Sequence, residues 1–341
     1  MAKLVHLATL IDLSISPYAP PPGPPPDAGM AWVPGGTFRM GAEGFNPEEA
    51  PVHPATVRGF WMDRHPVTNA RFAAFVAATG YVTVAERTPD PADYPGAVPE
   101  RLAAGSLVFR PLRQRSLREH FTWWAWVPGA SWRHPAGPDS DLVGLEAHPV
   151  VHVAWDDAAA YARWAGMELP TEAEWEFAAR GGLDGRAYAW GDELSPGGRI
   201  MANVWQGEFP GENRMEDGWA GTSPVGAFPP NGYGLYDLIG NVWEWTADWW
   251  GAHARAKGAC CAAARLGSAD REGSLDSRQP DIRIPRKVLK GGSYLCAPNY
   301  CVRYRPAARI AQQVDTGTGH QGFRCIVRAA PRDGDAPGPA R

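Results

Sequence analysis

The chain has 341 residues, with 33 Lys plus Arg against 37 Asp plus Glu, and a net charge of -4 gives it no electrostatic reason to seek nucleic acid or an anionic membrane. With 16 tryptophans, 39 glycines and 34 prolines, it reads as a body of turns pinned by large aromatic side chains rather than of long regular elements. No run approaches the roughly 20 apolar residues of a membrane span, and no broad apolar helix face asks for a second copy, so a monomer without a membrane partner is expected.

Residues 1–30 read as a Pro-rich leader and linker. Met1 to Ile15 is moderately apolar, but His6 and Asp12 interrupt it, no small-residue cleavage site follows, and Pro17, Pro20 to Pro22 and Pro24 to Pro26 favour an extended polyproline-like strand. Residues 31–329 show no further composition break and read as one large domain, with 330–341 as a flexible tail. Within it, Thr68 opens an amphipathic helix whose Phe72, Phe75 and Val76 form a core stripe, stopped at Thr79-Gly80. A weaker helix is expected from Asp156 through Tyr161 and Trp164 to Gly166. Another begins at Thr171, whose hydroxyl caps while Glu174 reaches back, and ends at Gly181-Gly182. Residues 252–286, rich in Ala, Arg, Gly and Ser, read as a mobile loop.

Chemistry concentrates near the C-terminus. Two of five cysteines, Cys296 and Cys301, stand five residues apart behind Gly291-Gly292, among tyrosines and arginines. A thiolate is both a strong nucleophile and a soft ligand, so two on a short segment can form a disulfide, hold Cu(I), or do each in turn. The spacing alone leaves open a structural disulfide, two unrelated thiols, and metal or redox chemistry. Cys325 reads as a buried space-filling thiol and the vicinal Cys260-Cys261 as loop passengers. Acidic and amide residues between 203 and 244 suit either a hard cation bound by oxygens or ordinary solvated turns.

The run from Lys290 to Arg309, closed by Gly322-Phe323-Arg324-Cys325, resembles the C-terminal catalytic segment of the formylglycine-generating enzymes, the sulfatase-modifying factors. The likeness continues through Val33-Pro34-Gly35-Gly36-Thr37-Phe38, Trp132-Arg133-His134-Pro135, Asn203-Val204-Trp205-Gln206-Gly207-Glu208-Phe209-Pro210, Phe228 to Asp237, and Gly240-Asn241-Val242-Trp243-Glu244-Trp245. It implies an α+β fold: a single large irregular domain of C-type-lectin-like descent, low in regular secondary structure.

That resemblance also implies an oxidase that uses dioxygen and copper to convert a cysteine in a Cys-x-Pro-x-Arg motif of unfolded sulfatases to Cα-formylglycine. Cys296 and Cys301 would hold Cu(I), Ser293 would place a hydroxyl beside it, Trp243 an apolar wall and Tyr300 a polar aromatic contact. Arg305 and Arg309 would order the loop through carboxylate or carbonyl hydrogen bonds. Structural Ca2+, one or two ions, would take Asn203, the Val204 carbonyl, Asp217 and the Trp219 carbonyl in one set, and Asp237, the Gly240 and Val242 carbonyls and Glu244 in another. Three features depart from the family's pattern: Gln312-Gln313-Val314 replaces Asn-Thr-Pro, Asp237 replaces an asparagine, and His320 stands where an active-site asparagine is usual. His320 is expected either beside the metal pair, where its charge would modulate activity near neutral pH, or on a surface turn after Gly317 and Gly319. The extra cysteines of animal members are absent at Ala162, Ala179 and Pro306, which points to a reducing cytoplasm. The competing reading is a non-catalytic, calcium-bearing lectin-like module, which would not need both thiols.

Overall fold

A computed structural model describes residues 20–98, 102–111, 123–253 and 270–329. The chain opens with β1 (Met30–Val33) and β2 (Gly36–Met40), followed by β3 (His53–Val57) and β4 (Phe60–Asp63). Helix α1 (Asn69–Thr79), the hairpin β5 (Gly105–Phe109) and β6 (Trp124–Pro128), and helices α2 (Trp155–Trp164) and α3 (Glu172–Arg180) come next. The last part is β7 (Trp243–Trp249), β8 (Arg286–Lys290), β9 (Arg309–Gln313), β10 (Gln321–Gly322) and β11 (Ile326–Arg328). Strands order as β10-β7-β8-β9 in one sheet and β1-β4-β11 in another, with two separate hairpins, β2-β3 and β5-β6. This is the α+β body that the family resemblance implies, and its scarcity of regular structure is what the turn-rich composition implies.

The helices follow their caps. Thr68 Oγ1 accepts from Arg71 N at 3.3 Å, and Gly80 ends α1 at φ 66°, a left-handed stop that glycine adopts without a Cβ penalty. Thr171 and Glu174 form the expected capping box, with Glu174 Oε2 2.8 Å from Thr171 N. Helix α2 starts one residue earlier than expected because Asp157 Oδ2 accepts from Ala154 N at 2.8 Å. On α1, Phe72 is fully buried against Trp132, Tyr161 and Phe323. Its truncation to Ala would cost about 3–5 kcal/mol. Helix α3 turns Trp175 and Phe177 into a second cluster with Phe38, Phe60, Leu235 and Ile326.

Buried charges tie α3 to the larger sheet. Lys290, fully buried at the end of β8, lies 2.9 Å from Glu176 and 3.5 Å from Glu172, and Arg309 on β9 forks Glu172 at 2.7 and 2.8 Å. Removing one partner would leave an uncompensated buried charge, so these pairs lock β8 and β9 against the helix. The loop joining β8 to β9 carries both candidate cysteines. The loop is thereby fixed at both ends.

Within 252–286, residues 270–286 are anchored rather than free. Arg286 donates to Ser274 O at 2.8 Å and Leu275 O at 3.1 Å, and Ser274 is fully buried. Cys260 and Cys261, most of the leader and the 330–341 tail lie outside the described residues. Among the described residues, no helix is long and apolar enough to cross a membrane.

Candidate active site

The cysteine loop begins with a turn that only glycine permits. Gly291 and Gly292 sit at φ 95° and 75°; a Cβ would lie 2.7 Å from Leu238 O at the first and 2.7 Å from Arg303 O at the second. The turn buries Ser293, whose carbonyl accepts from Cys296 N at 3.0 Å and whose Oγ accepts from Leu295 N at 3.3 Å. Cys301 N donates to Ala297 O at 2.8 Å, and Trp205 N holds the Cys296 carbonyl at 3.0 Å. These bonds bring Cys296 Sγ and Cys301 Sγ to 3.3 Å, both buried and unjoined.

The pair is electrostatically asymmetric. The hydrogen bond from Cys296, then the nearby Arg303 charge, lowers Cys301 to about 6 against the opposing effect of burial. Burial pushes Cys296 well above the ordinary thiol value. These opposite shifts favour Cys301 as the thiolate and Cys296 as the protonated partner. Arg303 Nη1 points to Cys301 Sγ at 3.8 Å, while its Nη2 is held by Glu48 Oε1 at 2.6 Å.

Trp243 on β7 is buried in the same apolar cluster as both cysteines. Tyr300 is 41% exposed and stacks on Phe209 at 4.4 Å with 13° between the rings, while Trp123 meets it edge-on at 5.6 Å. Burial raises its hydroxyl pKa, which keeps it protonated at neutral pH. Arg305 donates to Val302 O at 2.8 Å and pairs with Glu49, and Arg309 adds Gly251 O at 2.8 Å to its bond with Glu172. Both arginines order the loop and neighbouring chain, as their residue type suggests.

His320 sits partly buried on the turn after Gly319. Its ring lies against Trp124 at 4.9 Å, its Nδ1 meets Thr318 Oγ1, and its carbonyl accepts from Trp243 N at 2.9 Å. Desolvation takes its pKa down to about 3, with His152 adding a smaller push, so the ring is neutral near pH 7. The expected charge switch between pH 6 and 8 is therefore corrected.

The oxygen sets differ in how well they suit a hard cation. In the first, Asn203 is buried, Asp217 Oδ1 accepts from Trp219 N at 2.9 Å, and Asp217 Oδ2 is buried with no hydrogen-bond partner. An orphaned carboxylate oxygen is what a bound cation would satisfy. Val204 O already accepts from Gln206 Nε2 at 2.5 Å, which leaves a second lone pair. In the second set, Asp237 accepts from Gly226 N at 2.7 Å and burial raises it to about 6. The carbonyls of Gly240 and Val242 flank Asn241, whose N–H is tied to Asn203 O at 2.8 Å. Glu244, however, is held by Arg324 at both oxygens, each 2.7 Å, and by Trp175 Nε1 at 2.7 Å. A cation there would have to share Glu244 with Arg324. Among the described residues, no cluster of three His, Cys, Asp or Glu side chains forms a ready metal centre.

Sequence reasoning assigned no role to Glu48, Glu49, Arg303 or Asn299. The alternation Arg303-x-Arg305 was a local hint of paired cations, but their carboxylate partners lie on another part of the chain and leave no local signal.

Residues 19–329 match the domain described as sulfatase-modifying factor enzyme 1-like. The chain is 57% identical over 299 residues to the formylglycine-generating enzyme of Mycobacterium tuberculosis, covering 86% of this chain and 96% of that protein. It is 49% identical over 305 residues to the formylglycine-generating enzyme of Thermomonospora curvata, covering 88% and 93%. Among solved structures, PvdO from Pseudomonas aeruginosa superposes with a TM-score of 0.55 at 25% identity, covering 87% of this chain and 93% of that one.

Proposed function

Since the chain belongs to the sulfatase-modifying factor enzyme 1-like family, we propose that it oxidises the cysteine of a Cys-x-Pro-x-Arg segment in an unfolded sulfatase to Cα-formylglycine, with dioxygen as electron acceptor. The observation that carries this reading is the buried, unjoined pair of sulfurs at 3.3 Å, with the exposed Tyr300 next to Cys301. A non-catalytic module has no use for such a pair. The thiolate, its thiol partner and the surrounding apolar cluster fit a soft, low-coordinate ion. Held by Cys296 and Cys301, Cu(I) would supply electron transfer to dioxygen and a soft position for the substrate sulfur.

The chain's own residues prepare that site. Arg303 compensates the thiolate charge and Glu48 fixes the guanidinium, so the negative sulfur survives burial. Trp243 excludes water from one side. Ser293 provides a hydroxyl at the base of the loop. Tyr300, backed by Phe209, presents a flat surface on which an extended peptide can lie while its own hydroxyl stays protonated. Ca2+ has a structural role in this reading, with the Asn203, Val204, Asp217 and Trp219 set as the better-supported site. A monomer in the cytoplasm follows from the cysteine usage and the absence of a broad apolar helix face in the sequence.

The test is to incubate the reduced protein with Cu(I), oxygen and a Cys-x-Pro-x-Arg peptide and to follow the thiol-to-aldehyde mass change. Formation of aldehyde supports the reading. An unchanged peptide with a folded, copper-loaded protein overturns it.

A further inference from the structure

The four residues between the cysteines, Ala297 to Tyr300, form a bridge whose last three members are exposed. Its base is held by backbone bonds, but its tip is held by a side chain. Asn299 Oδ1 accepts from Phe209 N at 3.3 Å, and Asn299 Nδ2 donates to Phe209 O at 3.1 Å and to Glu208 Oε2 at 3.3 Å. One carboxamide thus satisfies both backbone groups of a single residue, as one rung of a strand ladder would. The next residue, Tyr300, stacks its ring on Phe209 at 4.4 Å.

Phe209 is a firm anchor. It is buried, with Trp205 at 5.2 Å, Trp123 at 5.4 Å and Phe109 at 5.7 Å around it. Trp205 on the same short segment holds the Cys296 carbonyl. The 205–209 segment therefore grips the bridge at its first cysteine and at its tip. We propose that Asn299 is a positioning residue of the thiol pair: its clip to Phe209 sets how closely Cys296 and Cys301 converge. This rests on the functional reading above for its catalytic meaning, but its physical content is the effective concentration of one thiol at the other.

That quantity is measurable without turnover. Reduced full-length protein, Asn299→Ala and Asn299→Asp are equilibrated in glutathione buffers, and the Cys296–Cys301 disulfide is quantified by alkylation and peptide mass. Two thiols and one oxidised glutathione give the disulfide and two reduced glutathiones, so the closing constant reports convergence directly. Losing three hydrogen bonds, two of them to the Phe209 backbone, should lower that constant about tenfold in Asn299→Ala. Asn299→Asp keeps the acceptor but sets a carboxylate oxygen against Phe209 O and Glu208 Oε2, and should lower the constant at least as far. Melting temperatures should stay within a few degrees, and on the peptide kcat should fall while KM holds. A closing constant for Asn299→Ala within twofold of the parent overturns the proposal; if that variant does not fold, Asn299→Asp decides by the same criterion. Absence of formylglycine from every protein, alongside the lowered constant, would reject the functional reading and leave the positioning role standing.

Discussion

Arg305 grips Glu49 across 256 residues of chain, with Nη1 2.6 Å from Oε2 and the partner nitrogen on Oε1. Both side chains are almost wholly buried, and the guanidinium also lies 3.7 Å from the Phe45 ring. The pair joins the cysteine loop to the turn after β2.

Breaking it should be costly and replacing it should not. Arg305→Met leaves Glu49 as an unpaired buried charge and should destabilise by about 3–5 kcal/mol. Adding Glu49→Leu should recover most of that loss. Chemical denaturation of the two variants measures it, and a double variant no more stable than the single would contradict the argument.

Cys296→Ser and Cys301→Ser should each abolish formylglycine formation while leaving the melting temperature within a few degrees. Serine occupies nearly the same space, and the backbone bonds of the loop do not involve the sulfurs. Peptide mass measurement decides. Near-parental activity in either variant would remove the soft-ligand assignment.

The orphaned Asp217 oxygen gives the calcium reading a specific test. A cation bound only by the folded state stabilises it by mass action, so chelation should lower the melting temperature. In Asp217→Ala the starting temperature should already be lower and chelator should change it little. Equal chelator responses in both proteins would place any cation elsewhere.

For His320 the expected pH effect lies in stability, not turnover. Unfolded histidine titrates near 6.5, while the folded ring has been taken down to about 3. Between those values the unfolded state holds the extra proton, so the stabilisation is complete above about pH 6.5 and declines as pH falls, by about 1.4 kcal/mol per unit. His320→Asn should flatten that acid slope, and its turnover profile between about pH 6 and 8 should superimpose on the parent's. A shifted turnover profile would show that the ring does carry charge in that range.

The parts legible in the sequence were those encoded over short spans. Thr68 with Gly80, and Thr171 with Glu174, mark helix ends through bonds to residues a few positions away. The cysteine spacing and its flanking motifs identified the family. Contacts that shape the site were not legible, because Glu48, Glu49 and Phe209 reach residues 299–305 only after folding. His320 misled for the same reason: two neighbouring glycines suggest an open turn, but Trp124 from β6 desolvates the ring. The anchoring of 270–286 likewise depends on Arg286 finding carbonyls that composition does not reveal.

The shared neighbour of β1 and β11 has a practical corollary. Each pairs antiparallel with β4, one on either side, so the first and last strands run parallel about 10 Å apart. Met30 lies level with Asp63 and Arg328 with Phe60, so fusion partners attached ahead of Met30 and beyond Arg328 would leave the sheet at opposite ends and keep clear of each other. A linker joining them would have to turn back along the strands as well as cross β4. Because the cysteine loop hangs from β8 and β9 in the other sheet, an attachment at either end of the β1-β4-β11 sheet would leave the strands that carry the thiols untouched.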